Sequence, residues 1–189
     1  MEYITLGFAM CGSFCTFNSV LQQLEILCKT YRIIPIMSQT SFECDTRFGT
    51  AEHFRRRVSD LCGHEILHTL PQVEPIGPKK LLDAIVVAPA TGNTLAKLAH
   101  GIADTPVTLA VKAHLRNEAP VILAVSTNDA LAGNAANIGT LLARRHYYFV
   151  PMRQDAPQKK PRSVVADFSL LPQTLEQALL GRQLQPILL

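Results

Sequence analysis

Two kinds of hydrophobic pattern alternate along the chain. Short runs of apolar and β-branched residues predict β-strands, and they are separated by longer stretches in which apolar residues recur every three or four positions. The five short runs are YITLGFA (3–9), RIIPIM (32–37), AIVVA (84–88), PVILAV (120–125) and YYFVP (147–151). Because most positions within a run are apolar, we expect strands that are buried on both faces of a parallel sheet.

The longer stretches predict helices. Apolar residues from Phe17 to Tyr31 form one stripe, Asp104-Thr105-Pro106 gives a capping residue with Pro at the first helical position, and a third helix spans 134–145. Arg144, Arg145 and His146 fall at the end of that third helix, where positive charge is favoured. The residues expected to face the core are Val107, Ala110, Val111, His114 and Leu115 in the second helix and Ile138, Leu141 and Leu142 in the third.

The alternation of buried strands and helices predicts the fold class α/β, a doubly wound parallel sheet with helices on both faces in a Rossmann-like, three-layer arrangement. The 189 residues suit a single domain over 1–189. The polar, Pro-containing segment 152–163 is expected to be an extended arm, and a last helix is expected from Pro172 to Gly181.

Composition narrows the function classes. A net charge of +3, 6% aromatic residues and no Trp disfavour nucleic-acid binding. The chain has no apolar run near the ~20 residues of a membrane span, and MEYITLGFAM lacks the basic region of a signal peptide. The five cysteines form no CxxC pair, so we expect reduced thiols in a cytoplasmic protein and no metal site.

Polar residues follow four of the predicted strands, where the carboxyl ends of a doubly wound sheet bind ligands. The four segments are MCGSFCTFNS (10–19), SQTSF (38–42), PATGNT (89–94) and STND (126–129). Each alone also suits an ordinary turn or helix cap. Together they predict a neutral rim, rich in hydroxyls and amides, that would hold a phosphorylated cofactor with a polar heterocycle.

PATGNTLAKLAHGIAD (89–104) resembles the PASANT segment of the flavin-binding cysteine decarboxylase family, which includes phosphopantothenoylcysteine decarboxylases. The resemblance implies FMN as the cofactor and a homo-oligomer, a trimer or an assembly of trimers. It implies a substrate-side position for Asn128. The residues expected to bind the cofactor are Gly12, Ser13, Ser38, Pro89, Ala90, Thr91, Gly92, Asn93, Thr94 and Ser126.

The chain also departs from the decarboxylase pattern. Pro75 stands where that family carries a catalytic His, and its PxMN motif reads VSTND (125–129) here. GSFCTF (12–17), SFECDTRFG (41–49) and YYFVPMRQDAPQKKPRS (147–163) resemble instead the family of dipicolinate synthase B subunits. That resemblance implies an oxidoreductase in the mother-cell cytoplasm of a sporulating bacterium. Its partner would be an NADP-dependent A subunit, and the reaction would oxidise a dihydrodipicolinate-type precursor to dipicolinate.

A dicarboxylate substrate calls for cations. The candidates are Arg47 and the cluster Lys159, Lys160 and Arg162, although a solvated charge run is the more ordinary explanation of the cluster. Cys11 and Cys15 flank the first loop. Two roles are open for them, that of a reactive thiol and that of a buried structural thiol. No catalytic residue emerges from the spacing. The alternatives are another FMN-dependent decarboxylase or prenyltransferase, and a non-catalytic nucleotide-binding scaffold for the A subunit.

Overall fold

A seven-stranded sheet forms the centre of the computed structural model, which describes residues 4–189. The strands are β1 Thr5–Met10, β2 Arg32–Met37, β3 Ala84–Ala90, β4 Val121–Thr127, β5 Tyr147–Phe149, β6 Met152–Gln154 and β7 Val164–Ala166. The first five are parallel, in the order β2-β1-β3-β4 with β5 beside β4. They confirm the five predicted strands, except that Tyr3 of the first run lies outside the described residues. β6 and β7 pair antiparallel to each other.

Helices cover both faces of the sheet, which confirms the predicted fold class. They are α1 Phe17–Leu27, α2 Gln39–Glu43, α3 Ala51–Cys62, α4 Leu70–Val73, α5 Gly92–His100, α6 Pro106–Leu115, α7 Ala135–Leu142 and α8 Leu171–Leu179. α1, α3 and α8 pack on one face, whereas α4 to α7 pack on the other. None of the helices within residues 4–189 is long and apolar enough to cross a membrane.

The two central strands explain the lack of polar alternation in the sequence. In β3, Ile85 and Val87 contact one helical layer, while the intervening Val86 contacts the other. In β4, Leu123 contacts the same helical layer as Ile85 and Val87, while Ile122 contacts the layer of Val86. Since successive side chains of a strand point to opposite faces, both faces of these strands need apolar residues.

The segment 152–163 belongs to a β-hairpin that extends from Met152 to Ala166. Its second strand, β7, pairs antiparallel with the carboxyl end of β4, at Ser126–Val165 and Thr127–Val164. The segment expected to be an extended arm is therefore the start of a hairpin that makes the sheet mixed. We call residues 152–166 the edge hairpin.

Two expectations about the helix over 134–145 are wrong. α7 ends at Leu142, and the Leu142 side chain is 43% exposed instead of facing the core. The Arg144 guanidinium lies beyond the helix and donates to the carbonyl oxygens of Leu98 (3.0 Å) and Ala99 (2.6 Å). Its charge thus stabilises the carboxyl end of α5, a neighbouring helix, and not that of α7.

His114, on α6, lies in this core, and the pH dependence of the folding stability tests its burial. Its side chain is fully buried, with Nε2 3.2 Å from the Pro120 carbonyl oxygen, and within residues 4–189 Nδ1 has no hydrogen-bond partner. Burial lowers the pKa of His114 below its ordinary value. The unfolded chain therefore binds the extra proton more readily, so stability is full above about pH 6.5 and falls as the pH drops below it.

We expect His114→Gln to reduce the pH dependence of the unfolding free energy, because Gln does not titrate. Between neutral pH and about pH 5, the wild-type protein should lose up to about 1.4 kcal/mol per pH unit more than the variant. Urea unfolding at several pH values measures this difference. Equal slopes in the two proteins would contradict the assignment of a buried, neutral His114.

Candidate cofactor site

A cleft of ≈ 780 Å³ lies at the carboxyl edge of the parallel strands. The loops after β1, β3 and β4 form its floor, and the edge hairpin forms one side. The residues that line it are Gly12, Ser13, Phe14, Cys15, Thr16, Phe48, Thr91, Ser126, Thr127, Asn128, Asp155, Lys160, Ser163, Val164 and Val165. Six of them, namely Gly12, Ser13, Thr91, Ser126, Asn128 and Lys160, are among the residues expected at a ligand site from the sequence.

Hydroxyl groups hold the loops of the floor together. The Ser13 and Ser126 hydroxyls lie 2.8 Å apart, which joins the loop after β1 to the carboxyl end of β4. The Thr16 hydroxyl donates to the Ser13 carbonyl oxygen at 2.8 Å. Because a hydroxyl both donates and accepts, Ser13 and Ser126 keep hydrogen-bonding capacity for a ligand in the cleft.

The turn between β3 and α5 is built from threonine contacts. Thr91 is the N-cap of α5, where its hydroxyl accepts the Thr94 amide at 3.4 Å. The Thr94 hydroxyl in turn donates to the sulfur of Cys11 at 3.2 Å. Burial raises the pKa of Cys11 to about 11, which makes it a protonated structural thiol. Thr94 therefore supports the turn from behind the cleft.

Gly92 has a packing role that requires the absence of a side chain. A Cβ at this position would lie 2.5 Å from Nδ2 of Asn134, 2.7 Å from the Thr127 hydroxyl and 2.8 Å from Oδ1 of Asp129. These three side chains are hydrogen-bonded to one another around the Asp129 carboxylate. Only glycine lets the start of α5 approach this network.

Hydrogen-bond donors that have no acceptor in the described chain lie at the start of α5 and in the lining of the cleft. Asn93 and Asn128 are both exposed, and within residues 4–189 neither side chain forms a hydrogen bond. The amide groups of the first helical turn lack intrahelical acceptors, and the helix dipole makes that end positive. The nine-residue α5 therefore presents an anion-binding end next to Thr91.

The edge hairpin contributes one cation to the cleft. Lys160 lines it, and its ammonium group lies 2.6 Å from Oδ2 of Asp155. The hydrogen bond with Asp155 raises the pKa of Lys160, so the ammonium form persists. Lys159 and Arg162 are exposed and do not line the cleft. The structure thus distinguishes Lys160 from the rest of the predicted basic cluster.

The other residues expected from the sequence lie outside the lining. Ser38 caps α2, since its hydroxyl accepts the Ser41 amide at 3.2 Å. Pro89 and Ala90 are buried in β3. The Arg47 guanidinium lies 4.8 Å from the centre of the Phe48 ring, and only Phe48 reaches the cleft.

Sequence reasoning missed several lining residues. Phe14 and Phe48 supply aromatic surface, while Ser163, Val164 and Val165 come from the edge hairpin. The second strand of that hairpin was not predicted, because it follows directly on a polar, Pro-containing segment. The run SVVA (163–166) was the available signal, because it is short, β-branched and close after turn residues.

We expect Gly92→Ala to destabilise the protein by about 1–3 kcal/mol, because the added methyl group meets three polar atoms that cannot all move. Gly139→Ala is the matched control. It lies inside α7 with no described atom within 4 Å of a new Cβ, so alanine should be neutral or slightly stabilising. Denaturant midpoints measure both effects, and an equal response of the two variants would contradict the packing role of Gly92.

Comparisons with known proteins agree with this architecture. The Flavoprotein family model matches residues 1–151. The B subunit of dipicolinate synthase from Bacillus subtilis is 44% identical over 97% of this chain and 92% of its own length. The crystal structure of the corresponding B subunit from Bacillus halodurans C is 41% identical, with a TM-score of 0.90 over 100% of this chain and 98% of that one.

A more distant structure shares the fold. The FMN-dependent cysteine decarboxylase SpaF is 25% identical, with a TM-score of 0.66 over 93% of this chain and 97% of that chain. These similarities confirm the resemblance that the loop motifs predicted. The chain belongs to the Flavoprotein family.

Proposed function

We propose that the chain is the B subunit of a dipicolinate synthase. It would bind FMN in the cleft and act with an NADP-dependent A subunit to oxidise a dihydrodipicolinate-type precursor to dipicolinate, in the mother cell of a sporulating bacterium. The observation that carries the proposal is the 44% identity to the Bacillus subtilis protein over 97% of the chain. The hydroxyl-rich cleft supports it.

The residues of the cleft fit FMN by their chemistry. The hydroxyls of Ser13, Thr91 and Ser126 and the free amides at the start of α5 are neutral donors of the kind that bind a phosphate. Phe14 and Phe48 offer apolar surface for a flavin ring. When bound, FMN would supply two-electron redox chemistry. The contribution of the chain is to bind and orient the group.

A dicarboxylate substrate would need a cation within the same cleft. Lys160 supplies one, and the exposed Asn128 amide lines the cleft as well. Arg47, the other predicted candidate, packs against Phe48 outside the lining and would act only at the rim. We therefore assign recognition of a substrate carboxylate to Lys160, with Asn128 as a neutral hydrogen-bonding partner.

The protein is also proposed to self-associate, as a trimer or an assembly of trimers. Several large apolar side chains on the helices and loops around the sheet are exposed, among them Ile102, Leu131 and Leu142. Burial of such residues between copies would remove apolar area from water. Light scattering of the purified protein would report its mass.

Activity of the A subunit distinguishes the proposal from its alternatives. The A subunit should form dipicolinate rapidly when the B subunit is loaded with FMN, and slowly when the B subunit is FMN-free or omitted. Equal rates with the loaded and FMN-free forms would favour the scaffold instead. Release of CO₂ from a cysteine-containing substrate by the isolated B subunit would favour a cysteine decarboxylase, the activity for which SpaF is named.

We expect Asn93→Ala to weaken FMN binding. Each lost hydrogen bond should cost about 0.5–1.5 kcal/mol, or roughly a twofold to tenfold rise in Kd. His100→Ala is the control, since His100 is exposed at the opposite end of the same helix. Quenching of flavin fluorescence gives both constants. A Kd for Asn93→Ala equal to that of His100→Ala would remove Asn93 from the site.

We expect Lys160→Met to raise the KM for the precursor about tenfold or more in the complex of the two subunits, because a charge-assisted hydrogen bond is lost. Lys159→Met, one position earlier on the same turn and outside the lining, should leave KM unchanged. Steady-state kinetics of dipicolinate formation measure both values. If the two variants have the same KM, Lys160 does not recognise the substrate.

A further inference from the structure

The segment after α8 returns to the sheet and runs along one of its edges. Gly181 follows the helix in the left-handed conformation, where the chain reverses direction. The Arg182 amide donates to the Gln177 carbonyl oxygen at 2.9 Å, the bond that ends a helix in a Schellman motif. Residues 183–189, which we call the tail, then pass β5 and reach Met152, the first residue of the edge hairpin.

The side-chain amide of Gln183 takes the place of a neighbouring strand beside β5. Its Oε1 accepts the Phe149 amide at 2.7 Å, and its Nε2 donates to the Phe149 carbonyl oxygen, also at 2.7 Å. The amide of the next residue, Val150, donates in the other direction, to the Leu123 carbonyl oxygen of β4 at 3.0 Å. Gln183 therefore satisfies the backbone groups of Phe149 that face away from β4.

The end of the tail pairs with the edge hairpin. The Met152 amide donates to the Ile187 carbonyl oxygen, and the Leu189 amide donates to the Met152 carbonyl oxygen, both at 3.0 Å. Met152 lies opposite Leu188 in this parallel bridge, and opposite Ala166 of β7 on its other side. The start of β6 is thus held between the tail and β7.

One apolar side chain anchors the tail to the core. Ile187 is half-buried and packs against the apolar cluster that contains Phe149 and Met152. Its neighbour Leu188 is 70% exposed. Gln183 and Ile187 are therefore two points of attachment for the tail, one through hydrogen bonds and one through apolar packing.

The hairpin that the tail holds forms one side of the cofactor cleft. Lys160 and Ser163 of the edge hairpin line the cleft, whereas none of residues 183–189, all of which the structure describes, does so. β7 pairs with β4 at two positions. Because so short a pairing opens easily, an attachment on the β6 side limits how far the hairpin can move.

We propose that the tail positions the edge hairpin and thereby raises the affinity of the cleft for its ligand, with Gln183 and Ile187 as the positioning residues. A site whose sides are already ordered binds more tightly than one that must be ordered on binding. Loss of either attachment would loosen the hairpin, and Lys160 would move with it. The statement about affinity rests on the proposed function, because it takes FMN as the ligand.

Hydrogen exchange of the full chain tests the positioning role. In Gln183→Leu, the amides of residues 152–166 should exchange roughly fivefold faster or more, because the tail loses its hydrogen bonds to β5. The amides of β1 should keep their wild-type rates. Gln185→Leu is the matched control, since Gln185 is exposed in the same tail and its side chain forms no hydrogen bond within residues 4–189.

Two results would overturn the positioning role. One is an unchanged exchange rate in the hairpin of Gln183→Leu, or an equal acceleration in Gln185→Leu. The other is an acceleration that extends equally to β1, since the tail would then stabilise the whole fold. Ile187→Ala, with Leu188→Ala as its control, repeats the test through the apolar attachment, in case Gln183→Leu does not fold.

Titration with FMN tests the link to the cleft. At a temperature well below Tm, Ile187→Ala should raise the Kd for FMN roughly threefold or more, and Leu188→Ala should match the wild type. A faster-exchanging hairpin with an unchanged Kd would overturn the effect on affinity. A wild-type protein that binds no FMN would overturn the proposed function instead, and hydrogen exchange would still decide whether the tail positions the hairpin.

Discussion

The burial of β3 and β4 on both faces is the constraint on which the rest of the structure depends. Strands that are apolar throughout must be covered on both sides, so the chain crosses from one helical layer to the other. Parallel strands joined by helices all end at the same edge. Polar residues at or just beyond the carboxyl ends of three separate strands, including Ser13, Thr91 and Ser126, therefore meet in one cleft although they are far apart in the sequence.

Because β5 is short, the edge hairpin can pair with β4 and form one side of the cleft. β5 pairs with β4 only at Val121, Ile122 and Leu123, which leaves the carboxyl end of β4 without a parallel neighbour on that side. The edge hairpin occupies that end through β7. An exposed sheet edge is thereby covered, and Lys160 reaches the cleft as a consequence. Closure of the sheet and placement of a cation are two effects of the same pairing.

The sequence was sufficient for the features that depend on strong local patterns. Apolar runs located the five parallel strands, and Thr105-Pro106 marked the start of α6, where the Thr105 hydroxyl accepts the Thr108 amide. It was insufficient where distant contacts decide the outcome. The position of Arg144 at the end of α5 depends on helix packing, and the pairing of β7 with β4 depends on the length of β5. For the cleft, the polar loops correctly predicted the floor. Of the other predicted residues, Ser38 caps a helix and Thr94 makes a buried contact with Cys11. Asn93 and Asn128, in contrast, are exposed and form no side-chain hydrogen bonds within the described chain. Hydroxyls and amides act equally as structural caps and as ligand donors, so residue type alone cannot separate the two roles.

The neutral, hydroxyl-rich cleft is the flavin site that we propose. The visible absorption spectrum of the purified protein, recorded after incubation with FMN and passage through a gel-filtration column, tests it most directly. A flavin band should elute with the protein, at a stoichiometry near one FMN per chain. A protein peak that carries no flavin band after saturating FMN would contradict it, and the cleft would then be a substrate or partner site on a fold that has lost its cofactor.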